Sequence, residues 1–170
     1  MKKLLLIALL IVGCDSPTIN SNTDFETVMM TDEVGYEIGV HGDGVYSECF
    51  TGDLYRSISS YNYIPTNYNI GLPYPNPTNG GISTQFTIPE ETNVKILIID
   101  KNFEIILTLI NDEKDGGTYP VFHSLADDGE PVLEEGYYRI IYDFDSFECY
   151  ANFYFTMTDP CWLAGGEGCY

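Results

Sequence analysis

Positive charge is the scarcest commodity in this sequence: seven Lys and Arg stand against 26 Asp and Glu in 170 residues. Two of the seven, Lys2 and Lys3, fall at the very start. Beyond residue 13 only Arg56, Lys95, Lys101, Lys114 and Arg139 remain, and the net charge there is about −21. This excludes nucleic acid as a partner, because phosphate contacts need Lys or Arg. It also excludes a polybasic grip on anionic lipid and leaves acyl chains as the means of membrane attachment. Divalent cations, basic partners and plain solubility remain compatible with it. Histidine is nearly as scarce, with only His41 and His123. Gly-x-Ser-x-Gly, His-Glu-x-x-His and phosphate loops are absent. The carboxylate pairs Glu90-Glu91, Asp127-Asp128 and Glu134-Glu135 fall in predicted turns, where solvated charge is the ordinary outcome. No catalytic residue is assigned, and the chain reads as a non-enzyme.

Helical spacing is missing too. No stretch after residue 14 places apolar residues at i, i+3, i+4 and i+7. What is present instead is 14 Tyr and 9 Phe against a single Trp, with short apolar runs rich in β-branched residues. Such residues fit a pleated surface. The expected class is all-β.

The first fourteen residues carry a different signal. Lys2 and Lys3 precede an unbroken apolar run from Leu4 to Val12, and Gly13 then sits directly before Cys14. A positive start, a short apolar core and a small residue describe a secretory signal, too short to span a bilayer as a stable helix. Ile11-Val12-Gly13-Cys14 resembles the bacterial lipobox. That resemblance implies a diacylglyceryl group on Cys14, cleavage in front of it and further acylation such as palmitate. The expected location is the cell envelope, with the outer membrane or cell surface favoured over the inner membrane. Asp15 is the one residue pointing the other way, under a rule confined to some enteric bacteria.

Assigning Cys14 to lipid leaves Cys49, Cys149, Cys161 and Cys169, an even set in an oxidising compartment with three possible pairings. The favoured pairing is Cys161–Cys169, closing a Gly-rich loop, with Cys49–Cys149 stapling the earlier segment to the last strand. Each bridge contributes about 2–4 kcal/mol. Zinc is disfavoured, since no Cys-x-x-Cys spacing occurs and both histidines are remote.

The expected organisation has five parts: a signal peptide over 1–13, a flexible polar tether over 14–31, a β-hairpin and Tyr/Asn-rich extension over 32–70, a β-sandwich over 71–158, and a disulfide-closed tail over 159–170. The hairpin is placed on Tyr36–Val40 and Val45–Ser47 around the turn signal Gly42-Asp43-Gly44. Within the sandwich, Ser83 to Ile88 mixes polar and apolar residues as a half-buried strand does. Lys95 to Ile99 is a continuous run suited to a strand covered on both faces. Asp100-Lys101-Asn102 is a hairpin turn, and Tyr138, Ile140 and Tyr142 alternate with Tyr137, Arg139 and Ile141.

From Leu72-Pro73-Tyr74-Pro75-Asn76-Pro77 onward, the pieces follow a familiar order. They are Ile82–Pro89, Asn93–Asp100, Phe103–Leu109, Gly116–Phe122, Asp127–Val132 and Gly136-Tyr137-Tyr138. This order resembles the Ig-like β-sandwich of the flagellar hook-capping protein family and the C-terminal sorting domains of type IX secretion cargo. The resemblance covers about 75 residues and implies an Ig-like antiparallel sandwich. Phe122-His123-Ser124 stands where those families have Trp-Asp or Trp-Asn, and no Lys or Arg follows Arg139. The fold is therefore expected to carry over without the secretion signal.

No cofactor is required by any of this. Calcium is the one ion the sequence suggests, through hard oxygen ligands at Asp127, Asp128 and Glu130 around Gly129; an ordinary acidic turn is the plain alternative. Tyr61, Tyr63 and Tyr68 with interleaved Asn form a candidate surface for a glycan or an envelope protein partner, or else an ordered cover for the sandwich. The expected function is a structural, adhesion or assembly role for a lipid-anchored sandwich, with carbohydrate or calcium binding as the alternative.

Overall fold

The computed structural model describes residues 24–32, 34–43, 45, 65–145 and 147–158. These residues form strands and no helix. The first two strands, β1 (Val28–Thr31) and β2 (Glu37–His41), make an antiparallel hairpin. Next come β3 (Asn69–Ile70), β4 (Gly81–Ile88), β5 (Thr92–Ile99), β6 (Ile105–Lys114) and β7 (Gly117–Ser124). A short ladder of β8 (Ala126–Asp127) and β9 (Glu130–Pro131) precedes the closing hairpin of β10 (Gly136–Phe144) and β11 (Phe147–Phe155).

Two antiparallel sheets stack face to face, one ordered β11-β10-β5-β6 and the other β3-β4-β7. Period two explains the stacking. Val94, Ile96 and Ile98 of β5, Ile140, Tyr142 and Phe144 of β10, and Ala151, Phe153 and Phe155 of β11 all point inward. They meet Ile70 of β3 and Ile82, Phe86 and Ile88 of β4 in one core. Phe86 and Phe144 touch across the sheets at 5.2 Å between ring centroids. The buried Tyr142 hydroxyl donates to Thr84 Oγ1 at 2.9 Å, which satisfies a phenol that burial pushes well above its usual pKa. The protein is an all-β antiparallel sandwich.

Turn chemistry explains the hairpins. Asp100 accepts hydrogen bonds from the backbone of Asn102 at 2.8 Å and Glu104 at 2.9 Å and so closes the β5–β6 turn. The expected turn is present, but the strand resumes at Ile105 because Phe103 adopts positive φ. At the β8–β9 tip, Asp128 and Gly129 both have positive φ, as a two-residue hairpin of primed type requires.

The N-terminal part departs from expectation in three ways. β2 forms its hairpin with the preceding β1, while Tyr46 and Ser47 of the expected Val45–Ser47 partner lie outside the described residues. The Asp32 carboxylate accepts from Val34 and Tyr36 backbone N–H at 3.0 and 2.9 Å, and Gly35 supplies the positive φ. That side-chain-capped turn closes the β1–β2 hairpin. Gly42 is a point of close approach, where a Cβ would come within 2.6 Å of Thr27 Oγ1. Secondly, the tether does not run to residue 31. Phe25, Val28 and Met29 are buried and pack against the sandwich. Finally, the sandwich begins before residue 71, since Asn69 and Ile70 pair with Thr87 and Phe86.

The long edges of the four-stranded sheet are finished differently. At β11, residues 76–78 run alongside as an irregular extra strand, with Thr78 N–H donating to Tyr154 O at 3.0 Å and Thr156 N–H donating to Thr78 O at 2.9 Å. At β6 the register slips twice, leaving Leu109 and Ile106 as extra residues opposite β5. Bulges of this kind twist an edge away from further pairing.

Candidate functional site

The side chains that sequence patterning would send to solvent from β10 and β11 gather instead under the N-terminal segment. Along this outer face the cross-strand pairs run Ile141–Tyr150, Arg139–Asn152 and Tyr137–Tyr154. Arg139 is fully buried. Its guanidinium carbon lies 4.2 Å from the Phe25 ring centroid and 3.9 Å from that of Tyr150, so the cation sits against two aromatic faces. Arg139 Nε donates to Asn152 Oδ1 at 2.8 Å, and a terminal nitrogen donates to the Asp24 carbonyl at 2.7 Å. Asn152 Nδ2 donates to the same carbonyl and to Thr27 O, both at 2.9 Å. Asp24 in turn closes a local turn by accepting from Thr27 N and Thr27 Oγ1. Arginine and asparagine together thus hold the backbone of residues 24–27 while Phe25 fills the space among Leu97, Ile99, Ile141 and Tyr150.

Asn76 completes the join. Its Oδ1 accepts from Tyr154 N–H at 3.0 Å, and its Nδ2 donates to Met29 O at 2.7 Å and Asn152 O at 3.2 Å. The backbone of Asn76 also exchanges two hydrogen bonds with Thr31. One fully buried side-chain amide thereby stands in for a peptide group between β1 and β11. The flanking Tyr74-Pro75 and Asn76-Pro77 bonds are both cis.

Beside this join lies a pocket lined by Val28, Met30, His41, Pro77, Tyr137 and Tyr154. The His41 and Tyr137 rings are nearly parallel with centroids 6.5 Å apart, and Tyr137 and Tyr154 meet at 4.7 Å and 57°. The Tyr154 hydroxyl donates to Glu135 Oε1 at 3.3 Å. Burial and then the Glu26 carboxylate push the Tyr137 phenol up; burial and then Glu135 do the same for Tyr154.

The residues expected to carry function fall elsewhere. Cys149 is buried and disulfide-bonded, whereas Cys14, Cys49, Cys161 and Cys169 lie outside the described residues, as do Tyr61 and Tyr63. Tyr68 is half-buried. It stacks on Phe147 at 5.2 Å and leans on Phe144 at 6.1 Å, so its ring extends the core. Asp127 and Glu130 are paired across the β8–β9 ladder and Asp128 forms its tip. All three are exposed, and among the described residues no group of three or more His, Cys, Asp or Glu is placed to hold a metal ion. Glu135 caps the end of β11 through Thr156 Oγ1 and Met157 N–H, both at 3.2 Å. His123 is half-buried on β7 opposite Ile82, and His41 lies against a tyrosine.

Sequence reasoning missed the outer-face assembly. Its only visible signals were a lone arginine in a largely apolar strand and an asparagine enclosed by two prolines. Comparison of the chain with protein-family models, curated proteins and solved structures gives no match.

Proposed function

We propose that the protein is a non-catalytic lipoprotein of the cell envelope, an Ig-like sandwich held to a membrane by diacylglycerol on Cys14 and serving in structure, adhesion or assembly. The observation that carries this reading is the ordered sequence Lys2-Lys3, Leu4–Val12, Gly13, Cys14. The position of the first described residues supports it. Asp24 and Phe25 lie only ten and eleven residues beyond Cys14, a reach of at most about 36 Å to Asp24 for a fully extended chain. A sandwich so tethered stays close to the bilayer surface.

The order of strands and the Tyr-Pro-Asn-Pro entry support kinship with the hook-capping and sorting-domain sandwiches at the level of fold. The bonded state of Cys149 supports disulfide use of the cysteines beyond Cys14, for which Cys49–Cys149 with Cys161–Cys169 is the favoured pairing.

Intact mass of the membrane-extracted protein, with and without reduction, tests the reading. The expected result is a chain starting at Cys14 with added acyl mass, gaining two hydrogens per bridge for two bridges. A chain cleaved elsewhere and carrying no lipid overturns it.

A further inference from the structure

We propose that the β1–β2 hairpin rests on a lipid surface, with its exposed apolar side chains entering the headgroup layer of the bilayer that holds Cys14. The inference rests on the Cys14 anchor proposed above and adds a second contact to it. Among the described residues, Val34, Tyr36, Ile38, Val40 and Val45 make up half of the exposed large hydrophobic residues, and all five fall on this hairpin and the four residues after it. Exposure gathered in this way marks an interaction surface, whereas single exposed hydrophobics are the rule on any protein.

The tether brings this patch to a bilayer. Asp24 lies ten residues beyond Cys14, a reach of at most about 36 Å. His41 pairs with Val28 across the hairpin, and Gly42 lies against Thr27 and the Glu26 carbonyl. One end of the patch therefore adjoins the point where the tether joins the fold. The other end, at the Asp32–Tyr36 turn, is one four-residue strand further on, about 13 Å. A contact too weak to hold the chain from solution becomes populated once the anchor raises its local concentration.

Shape and charge argue against other occupants. A further strand would have to add to the open edge of β2. Ile38 is an extra residue there, between the Met30–Gly39 and Thr31–Glu37 pairs, and a bulge turns an edge away from pairing. A second copy would bring Glu26, Asp32, Glu37 and Asp43 against their own kind, with no Lys or Arg between Lys3 and Arg56 to offset them. A bilayer asks for neither a strand edge nor an opposite charge. Valine and isoleucine enter by area, and Tyr36, apolar in its ring and polar at its tip, suits headgroup depth. Among the described residues no strand pairs the β2 edge away from β1. Its N–H and C=O groups keep their water at headgroup depth and would lose it in hydrocarbon, so entry is shallow. The carboxylates fix the lipid class as zwitterionic, since an anionic surface repels them.

The test uses the mature chain from Cys14, ligated through its N-terminal cysteine to a thioester lipid and placed in phosphatidylcholine nanodiscs. The tether is then present whether or not the cell acylates Cys14. A lipid spin-labelled near the headgroup reports depth by broadening methyl resonances. Severalfold stronger broadening is expected at Val34, Ile38 and Val40 than at Ile105 and Ile106, which are exposed on β6 at the far edge of the four-stranded sheet. Tyr36→Ser combined with Ile38→Ser should bring Val34 and Val40 down to the level of Ile106. Urea unfolding should not change, because both replaced side chains are exposed. Adding phosphatidylglycerol should weaken the broadening, and salt should restore it. Equal broadening at both sets of methyls, or none lost in the double variant, overturns the proposal; undiminished broadening on phosphatidylglycerol overturns the lipid class. Protection of β2 amides that grows with protein concentration would mean a second copy on the hairpin and overturns it too. The anchor is judged separately by intact mass of the native protein: an unacylated Cys14 sinks the anchor, whereas absent hairpin broadening in the ligated chain sinks the docking.

Discussion

The two faces of the four-stranded sheet are covered by opposite means. The inner face meets β3 and β4 through aliphatic and aromatic side chains, so its stability is area removed from water, roughly 1.5–3 kcal/mol for each fully buried large residue. The outer face is covered by a short segment, residues 24–31, too small to supply much area. It is held by hydrogen bonds from Arg139, Asn152 and Asn76 to backbone carbonyls, with Phe25, Val28 and Met29 as its apolar anchors. A sheet can therefore bury both faces with a partner sheet on one side only, provided polar side chains on the other side grip main chain. The two kinds of cover should fail differently, and that difference can be measured.

The largest effect is expected on the inner face. Phe144 is fully buried among Phe86, Tyr142, Phe147 and Tyr68. Phe144→Ala should cost about 3–5 kcal/mol in urea unfolding and lower the whole transition as one unit. Arg139→Met keeps volume but leaves Asn152 Oδ1 and the Asp24 carbonyl each short of a donor. It should cost about 2–4 kcal/mol, and amide exchange should quicken in β1 before it quickens in β5. Equal quickening in both strands would erase the distinction between the faces. Asn76→Asp retains the acceptor for Tyr154 N–H and loses both donors while placing a carboxylate in a buried site. About 2–3 kcal/mol is expected, again appearing first in β1.

The smallest change touches neither face. Asp100→Ala should cost about 1 kcal/mol through lost turn hydrogen bonds. Burial raises the Asp100 pKa, but the hydrogen bonds from Glu104 and Asn102 and the Lys101 charge outweigh it and leave the carboxyl below its ordinary value of 3.8. A depressed carboxyl stabilises the fold above that ordinary value and ceases to do so as pH falls through the folded-state pKa. The gap between native protein and variant should accordingly be full at neutral pH and narrow below about pH 4. A gap independent of pH would show that the turn is held by something other than the ionised carboxylate.

The inner face was legible because period two is a local property. Tyr138, Ile140 and Tyr142 announce one side of β10 and Tyr137, Arg139 and Ile141 the other. Patterning does not reveal what covers the second side when the cover is irregular. Residues 24–31 follow a polar stretch and show no period, yet Phe25, Val28, Met29 and a few carbonyls are enough to dock them. Asn76 was in view within Tyr-Pro-Asn-Pro, but its partners are 47, 76 and 78 residues away, and no local rule reaches that far. The β1–β2 hairpin was overlooked because two glycines around Asp43 drew the eye from Asp32 and Gly35, where one carboxylate caps two backbone N–H groups. The aromatic pocket was invisible for a related reason: His41, Pro77, Tyr137 and Tyr154 come from four separate stretches of chain.

The grip on residues 24–27 has a mechanical meaning as well. Tension arriving along the chain from its N-terminal side meets Asp24 and Phe25 before any strand of the sandwich. Arg139 and Asn152 sit where that load enters, and the β1–Asn76–β11 connection lies behind them. Under pulling, the clamp acts as strain relief: it must rupture before force reaches the core, and in Arg139→Met the first rupture should occur at lower force in a single-molecule record while the later one is preserved.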